Sequence, residues 1–216
     1  MPGRLLDLLV PGSCPGCGRP GADEPCPACR EDLSTPPERV LPRVPCPVPA
    51  WSCGAYRGAR RRIVVTAKEA GSAAARRAMG AVLAAGVARL VADGALPPPG
   101  VLVPAPTRAA AARRRGGDPV LAACREAAAR LPACRAARLL ETRPGVADSA
   151  DLGARGRRSN ISGAVVPVRG WRPGPGEGPA VLVDDVLTTG ATAAESVLVL
   201  ASAGIRPAGV IVFASA

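Results

Sequence analysis

The sequence predicts an α/β fold with a mostly parallel sheet flanked by helices, preceded by a small cysteine-rich segment. Three observations predict it. Short, continuous apolar runs are typical of buried parallel strands. These runs alternate with longer segments of helical periodicity, as in α/β domains. Six of the eight cysteines lie within the first 54 residues, which sets that part of the 216-residue chain apart.

The first 54 residues form the cysteine-rich segment and a proline-rich linker. Residues 36–49 (PPERVLPRVPCPVP) cannot be helical because proline recurs every few positions. They are therefore a linker or an edge segment of a sheet. From Tyr56 the composition changes to Ala, Arg and Val. We place the domain boundary there, with a cysteine-rich segment over residues 1–54 and the α/β domain over residues 55–216.

The α/β domain shows helical and strand patterns in alternation. Apolar residues recur at spacings of three and four in the first predicted helix. Asp118 is a suitable N-cap for the second helix, which has Pro119 early in its first turn. The predicted elements are a helix over 73–92, a strand over 101–103, a helix over 119–131, a strand at Leu139–Leu140, a loop over 172–179, a strand over 180–183, a helix over Thr192–Ala203 and a strand over Gly209–Phe213.

Composition excludes several function classes. The chain has no histidine, which excludes histidine general bases, Ser-His-Asp and Cys-His catalysis and histidine-ligated metals. Only 2% of the residues are aromatic, too few for a platform on which nucleic-acid bases stack. The net charge is +11, and 17 basic but only 5 acidic side chains lie in residues 51–143. That excess favours an acidic partner, such as a polyphosphorylated small molecule or a nucleic acid, although an arginine-rich composition explains it equally well.

The cysteines Cys14, Cys17, Cys26 and Cys29 form two CxxC motifs in tandem. Two such knuckles place four thiolates around one ion, which predicts a structural, tetrahedral zinc site. The alternative is a pair of redox motifs, which usually lie at a βα junction. Cys46 and Cys53 are rival ligands outside any CxxC, and we expect Cys124 and Cys134 to be small core residues.

The cysteine usage also predicts the compartment. The apolar stretch from Leu5 to Val10 is too short for a signal-peptide core, and no run reaches the length of a membrane span. We therefore expect a cytoplasmic protein that does not insert into membranes, with its cysteines bound to metal rather than in disulfides.

The most informative stretch runs from Val181 to Thr192 (VLVDDVLTTGAT). It predicts a buried strand with two carboxylates at its end, Asp184 and Asp185, then a turn rich in Thr and Gly, and then a helix. Backbone N–H groups of such a turn and of the helix N-terminus form a cradle for an anion. The two carboxylates are good acceptors for adjacent sugar hydroxyls. The purely structural alternative is a capped helix without a ligand, since Thr192 and Glu195 match a capping box.

This segment resembles the phosphoribosyl pyrophosphate (PRPP) motif of type I phosphoribosyltransferases, which is an apolar strand, two acids and a Thr-Thr-Gly loop. With the cysteine knuckles, nearly the whole chain resembles the ComF family of bacterial competence and DNA-uptake proteins. That family joins an N-terminal zinc-binding segment to a phosphoribosyltransferase-like domain. Further matches are Lys68 of the KEAG stretch, Val103-Pro-Ala-Pro106, Arg115-Gly-Gly-Asp118, and Leu152 with Arg157 and Asn160.

The resemblance implies that the protein binds PRPP together with Mg²⁺. Asp184 and Asp185 would hold the ribose hydroxyls, directly or through water on Mg²⁺. Lys68 and the run Arg113–Arg115 would neutralise the departing pyrophosphate, and catalysis would be mainly electrostatic. Arg157 and Asn160 would complete the substrate site, although they equally suit a loop cap. The 5′-phosphate would lie against Thr188, Thr189, Gly190, Ala191 and Thr192.

Three functions follow from these observations. The first is a ComF-type phosphoribosyltransferase with an unidentified acceptor. The second is a non-catalytic sensor of PRPP or nucleotides that assists uptake of single-stranded DNA with other DNA-uptake proteins. The third is a zinc-ribbon regulator that binds nucleic acid, against which stands the slightly acidic charge of the knuckle region.

Overall fold

The computed structural model describes residues 12–107, 117–143, 163–170 and 178–216. The helices in these residues are α1 (Pro27–Leu33), α2 (Gly58–Glu69), α3 (Ala73–Ala92), α4 (Pro119–Ala128) and α5 (Ala191–Ser202). The strands are β1 (Glu38–Val40), β2 (Ala50–Ser52), β3 (Val101–Pro104), β4 (Arg135–Ala136), β5 (Leu140–Thr142), β6 (Val165–Pro167), β7 (Ala180–Leu187) and β8 (Pro207–Ser215).

Six strands form one mostly parallel sheet in the order β1-β2-β8-β7-β3-β4. Only the edge pair β1 and β2 is antiparallel, and the other neighbours are parallel. Strands β5 and β6 form a separate antiparallel pair. The predicted α/β architecture is confirmed, because helices cover this sheet on both faces.

The core lies in two layers, one on each face of the sheet. Helices α2, α3 and α4 pack on one face against Val181, Val183 and Phe213. Helix α5 packs on the other face against Leu182 and Val212. The apolar run that begins β7 is therefore buried on both sides, as expected of a central parallel strand, and it fixes where the following acids emerge.

The long helices agree closely with the sequence pattern. Helix α3 has the predicted bounds, and its N-cap Ser72 accepts a hydrogen bond from the backbone of Ala75. Asp118 caps α4 as predicted, because its carboxylate accepts from the backbone N–H groups of Val120 and Leu121. Helix α4 ends at Ala128, three residues before the predicted end. The sequence pattern predicts neither α2 nor the short strands β2, β4 and β6.

The proline-rich linker contributes to the sheet. Strand β1 lies within it at the sheet edge, which is one of the two places predicted for this segment. Strand β2 follows it and pairs in parallel with β8 through Ala50, Trp51 and Ser52. Two strands on the N-terminal side of the predicted boundary at residue 54 are thus part of the main sheet.

None of the helices in the described ranges is both long enough and apolar enough to cross a lipid bilayer.

Candidate functional site

The acid pair lies near the carboxyl end of β7. Asp185 is buried, with 5% of its surface exposed, whereas Asp184 is partly buried. The parallel neighbours β3 and β8 end at the same edge of the sheet. Ligands of open α/β sheets bind outside this edge. The geometry therefore places two carboxylates at the edge where a ligand site is expected.

Lys68 forms an ion pair with the acid pair. It lies in the last turn of α2, and its Nζ is 2.6 Å from Oδ2 of Asp185. The Lys68 side chain keeps 30% of its surface exposed, whereas the Asp185 side chain keeps 7%. The two predicted catalytic groups thus come together, with the amine on the solvent side of the buried carboxylate.

The surroundings of Asp184 favour its protonated form. Burial raises the pKa of Asp184 most strongly, and the neighbouring charge of Asp185 raises it further. The backbone N–H of Asp185, 2.8 Å from Asp184 Oδ1, and the Lys68 ammonium act in the opposite direction. The resulting pKa is about 7. Among the described residues one amine, that of Lys68, serves both carboxylates, so a second cation would be stabilised at this position.

The Thr-Thr-Gly turn leads directly from β7 into α5. Gly190 is the N-cap of α5 and has a left-handed backbone, with φ of 82°, which glycine adopts readily. Gly190 has no side chain with which to cap α5, and Oγ1 of Thr189 accepts a long hydrogen bond, 3.4 Å, from the backbone N–H of Ala191. Thr188, Thr189 and Thr192 are exposed. The N-terminus of this 12-residue helix and the nearby hydroxyls have the properties of an anion cradle.

The predicted capping box at Thr192 is wrong. The helix begins one residue earlier, with Gly190 as its N-cap. Glu195 instead reaches the β5–β6 pair, where its Oε1 accepts hydrogen bonds from the backbone N–H groups of Gly163 at 2.6 Å and Val165 at 3.2 Å. The Glu195 side chain therefore holds α5 to β6, and the N–H groups at the helix start are left without a side-chain acceptor from Thr192.

The proline-rich linker contacts the Thr-Thr-Gly turn. The backbone N–H of Val44 donates to the carbonyl of Thr189 at 2.9 Å. A Cβ atom on Gly190 would collide with the ring of Pro42. The sequence gives no signal for this contact, because the two segments are far apart in the chain. It adds residues 42–44 to the groups that shape the candidate site.

Helix α4 approaches the acid pair from the side. The charge of Asp118 contributes to the raised pKa of Asp184. Cys124 is fully buried, and burial, followed by the charges of Asp118 and Asp184, raises its pKa far above the usual range. Cys124 is therefore a neutral core thiol, as predicted. Cys134 is half-buried and packs against the same core.

The four CxxC cysteines converge on one point. The sulfur atoms of Cys14, Cys17, Cys26 and Cys29 all lie within 4.8 Å of one another. Sγ of Cys17 and Sγ of Cys26 are 3.8 Å apart, and the backbone N–H of Cys26 points to Sγ of Cys14 at 3.3 Å. Among the described residues, no other group of cysteines or acids has a comparable arrangement.

The thiols of this cluster differ in acidity. Burial acts to raise the pKa of Cys14, but hydrogen bonds from the backbone of Cys26, Cys17 and Gly16 outweigh it and lower the pKa to about 6. Burial and hydrogen bonds with the other three thiols raise the pKa of Cys29. Cys53 is buried elsewhere, and its burial raises its pKa to about 12. Neither Cys46 nor Cys53 joins the cluster, so they are not rival ligands.

Three predicted substrate-binding residues, Arg115, Arg157 and Asn160, lie outside the described residues, as does the whole run Arg113–Arg115. The structure therefore brings together Asp184, Asp185, Lys68 and the turn at residues 188–192, and the cysteine cluster forms apart from them.

No family model matches this chain, and no curated protein matches it either. The geometry of the two sites is therefore the basis on which we infer a function.

Proposed function

We propose that this chain is a ComF-type protein whose type I phosphoribosyltransferase-like domain binds PRPP with Mg²⁺ at Asp184, Asp185 and the turn at residues 188–192. One observation supports this more than any other. Two neighbouring carboxylates near the carboxyl end of a central parallel strand are followed, after residues 186–190, by a helix N-terminus whose N-cap residue is a glycine. A phosphorylated sugar needs both features within a few ångströms of each other.

The two halves of the site suit the two ends of such a ligand. Carboxylates accept hydrogen bonds from adjacent ribose hydroxyls, and the start of α5 offers N–H groups and a positive dipole end to the 5′-phosphate. Pro42 occupies the space in which a Cβ of Gly190 would lie, so a phosphate would approach the turn from another side of this glycine. The ligand's sugar would thus lie across the step from β7 to α5.

The acid pair also fits Mg²⁺. This ion binds oxygen ligands and is usually held by one or two carboxylates and substrate phosphates. Burial and the charge of Asp185 raise the pKa of Asp184 although Lys68 acts in the opposite direction, so a further cation beside this carboxylate would stabilise its ionised form. When bound, the ion would neutralise charge on the diphosphate and on the acid pair. Asp184 and Asp185 would hold it, directly or through water.

We assign Lys68 one role in the ligand-free protein and another in the complex. Without ligand it compensates the buried charge of Asp185, from a position that is partly open to solvent. In the proposed complex a cation at the acid pair takes over that compensation. The ammonium is then available to the pyrophosphate group, where it would stabilise negative charge that develops as the leaving group departs.

The four-cysteine cluster fits a structural zinc ion. A tetrahedral zinc with Zn–S distances of about 2.3 Å separates its sulfurs by about 3.8 Å, which agrees with the spacing of Cys17 and Cys26. A redox pair needs two thiols, whereas all four converge here. A thiolate site of this kind suits the reducing cytoplasm, which we propose as the compartment.

Binding of PRPP to the full chain tests the proposal. The zinc-loaded protein is titrated with PRPP in the presence and absence of Mg²⁺ by calorimetry, and its melting temperature is followed in parallel. We expect Mg²⁺-dependent binding and a rise in melting temperature. The variant D184N/D185N should lose both effects, whereas the exposed control D93N should keep them. Absence of binding by the wild-type protein would contradict the proposal.

Two further measurements separate the transferase from its alternatives. Release of pyrophosphate in the presence of a panel of nucleobases and amines would identify an active transferase. Binding of PRPP without turnover, combined with salt-dependent binding of single-stranded DNA, would instead identify the sensor that assists DNA uptake. DNA binding without any response to PRPP would favour the zinc-ribbon regulator.

A further inference from the structure

One helix contacts both sites of this protein. Helix α2 packs with its first turns against the cysteine-rich segment and ends with Lys68 on the acid pair. From Ala59 to Lys68 the helix rises about 14 Å. A displacement of its first turn would therefore move the amine that compensates Asp185, because an α-helix of this length behaves as a rigid rod.

The contact with the cysteine segment is close. A Cβ atom on Gly16, between the first two cysteines, would lie 2.8 Å from Sγ of Cys29 and 3.1 Å from Cβ of Ala59. A Cβ atom on Gly18 would lie 2.7 Å from Cζ of Arg62. The turn of the first knuckle thus lies directly on α2, with no space between them for a side chain.

Arg60 fixes α2 to the end of α1. Its side chain is buried, with 3% of the residue exposed, and Nη1 donates to the carbonyl of Asp32 at 2.7 Å. The carboxylate of Asp32 lies 3.7 Å from the same atom. The Nε and Nη2 groups are buried and have no hydrogen-bond partner in the part of the chain that the structure describes. A buried cation with unsatisfied donors costs stability, so its position between α1 and α2 suggests a role other than stability.

A second connection runs to the anion turn. The chain leaves α1 at Leu33, forms β1 and then passes behind the turn, where the Val44 backbone N–H binds Thr189 and Pro42 lies against Gly190. The cysteine-rich segment is therefore joined to the acid pair through α2 and to the phosphate cradle through residues 34–44. Both halves of the candidate ligand site are thus connected to the cysteine-rich segment.

We propose that occupancy of the four-cysteine site and binding of the phosphorylated sugar are thermodynamically coupled through α2, with Arg60 as the positioning residue. The inference rests on the proposed function, because it concerns regulation of that site. Coupling is reciprocal. Zinc should raise the affinity for PRPP, and PRPP should raise the affinity for zinc by the same factor. An ordered cysteine segment holds α2, and α2 keeps the Lys68 ammonium beside the acid pair, where the pyrophosphate group would bind.

The first experiment measures the reciprocal effect. Zinc affinity of the full chain is determined by competition with a chromogenic chelator, with and without saturating PRPP and Mg²⁺. Coupling of the usual strength would change it about five-fold or more. An unchanged zinc affinity in a protein that binds PRPP would overturn the coupling and leave the proposed function intact. If the zinc-loaded protein binds no PRPP at all, the proposed function fails and the coupling fails with it.

The second experiment removes the contact that Arg60 makes between α1 and α2, while zinc stays bound. The variant R60M is compared with R61M, which makes the same chemical change on the exposed face of α2. We expect both variants to hold one zinc per chain. R60M should bind PRPP at least about five-fold more weakly at saturating zinc and lose the reciprocal effect, while R61M keeps both. Equal behaviour of the two variants would overturn the role of Arg60.

Hydrogen exchange provides a test if R60M does not fold. On chelation of zinc from the wild-type chain, amides in the last two turns of α2 should exchange faster, whereas those in the C-terminal half of α5 should not. Acceleration of both helices would indicate global unfolding and would overturn a coupling carried by α2. Acceleration of neither would overturn it as well.

Discussion

Asp184 and Asp185 are adjacent in sequence but differ in their electrostatic environment. Asp185 is paired with Lys68 at 2.6 Å. Within the described part of the chain, Asp184 has the backbone N–H of Asp185 as its close donor, and burial raises its pKa to about 7. The unpaired acid is destabilising for the fold at neutral pH, which is common where a site is built to receive a ligand.

The variant D184N should stabilise the ligand-free protein at pH 8. The folded-state pKa of Asp184 lies above its unfolded value of 3.8. The folded state therefore binds more protons between about pH 4 and pH 7, and stability falls as pH rises through that window. Asparagine removes this dependence. Urea unfolding should show a gain on the order of 2 kcal/mol at pH 8 and almost none at pH 4.

The exposed pair of Asp93 and Arg89 supplies the control for this prediction. Its atoms are 2.8 Å apart, and both side chains are largely in solvent. D93N should therefore change stability by less than about 0.5 kcal/mol at either pH. A loss of stability in D184N at pH 8 would contradict the unpaired state of Asp184.

Ligand affinity should rise with pH through the same titration. The proposed complex needs Asp184 in its ionised form, which is a minor species at pH 6 and the major one at pH 8 if the pKa is about 7. Calorimetric titration with PRPP and Mg²⁺ should show about ten-fold tighter binding at pH 8 than at pH 6. The phosphate of the ligand itself titrates near pH 6. The D184N variant, measured at high ligand concentration, reports that contribution alone.

At the residue scale, the sequence predicts which residues belong to the candidate sites but not which residues they contact. The acid pair, the threonines and the four cysteines can be recognised because each is defined by local spacing. The pairing of Lys68 with Asp185 joins positions more than a hundred residues apart, and nothing in the local pattern around Lys68 indicates it. The same holds for Glu195, whose spacing from Thr192 is that of a capping box although its carboxylate binds β6 instead.

At the scale of elements, Gly190 connects β7 to α5 under two constraints. Its φ of 82° is left-handed, and its Cα faces the ring of Pro42. Gly204, after α5, has nearly the same φ of 81°, but a Cβ there would meet nothing within 4 Å. Comparing substitutions at these two glycines therefore separates the cost of backbone strain from the cost of a steric collision.

The variant G190A should cost more stability than G204A. Both changes carry the cost of a left-handed alanine, about 1 kcal/mol. Only G190A adds the collision with Pro42, which we expect to cost a further 1–3 kcal/mol, roughly. Urea unfolding measures the difference. The double variant G190A/P42G should recover most of it, whereas equal costs for the two alanine variants would show that the linker yields freely.

Helices and strands could be predicted from the sequence where the hydrophobic pattern is long or wholly apolar. Helix α3 is long and apolar enough for its bounds to follow from periodicity, and the buried runs of β7 and β8 are evident. Helix α2 was not assigned because its first turns are rich in arginine, one of which, Arg60, is buried. Strands β2, β4 and β6 have two or three residues each, too few for a period to show.

At the scale of the whole molecule, the N-terminal segment completes the α/β domain. Strand β2 covers one side of β8, whose central residues Val210, Ile211, Val212 and Phe213 are all fully buried. Trp51 of β2 is also buried, with 5% exposed. The composition change near Tyr56 indicated a boundary, but the sheet extends across it because strand pairing is a long-range contact that composition does not reveal.

Deletion of residues 1–54 should therefore produce an aggregating protein. The variant 55–216 exposes a long apolar edge on β8, and exposed edges of this kind pair with other chains. A chain over 36–216 is the matched control, since it lacks the CxxC cysteines but keeps β1 and β2. Light scattering and size-exclusion chromatography should find 55–216 mainly in large assemblies and 36–216 mainly in small species. Equal aggregation would mean that the cysteine segment, rather than the two strands, keeps the sheet from associating.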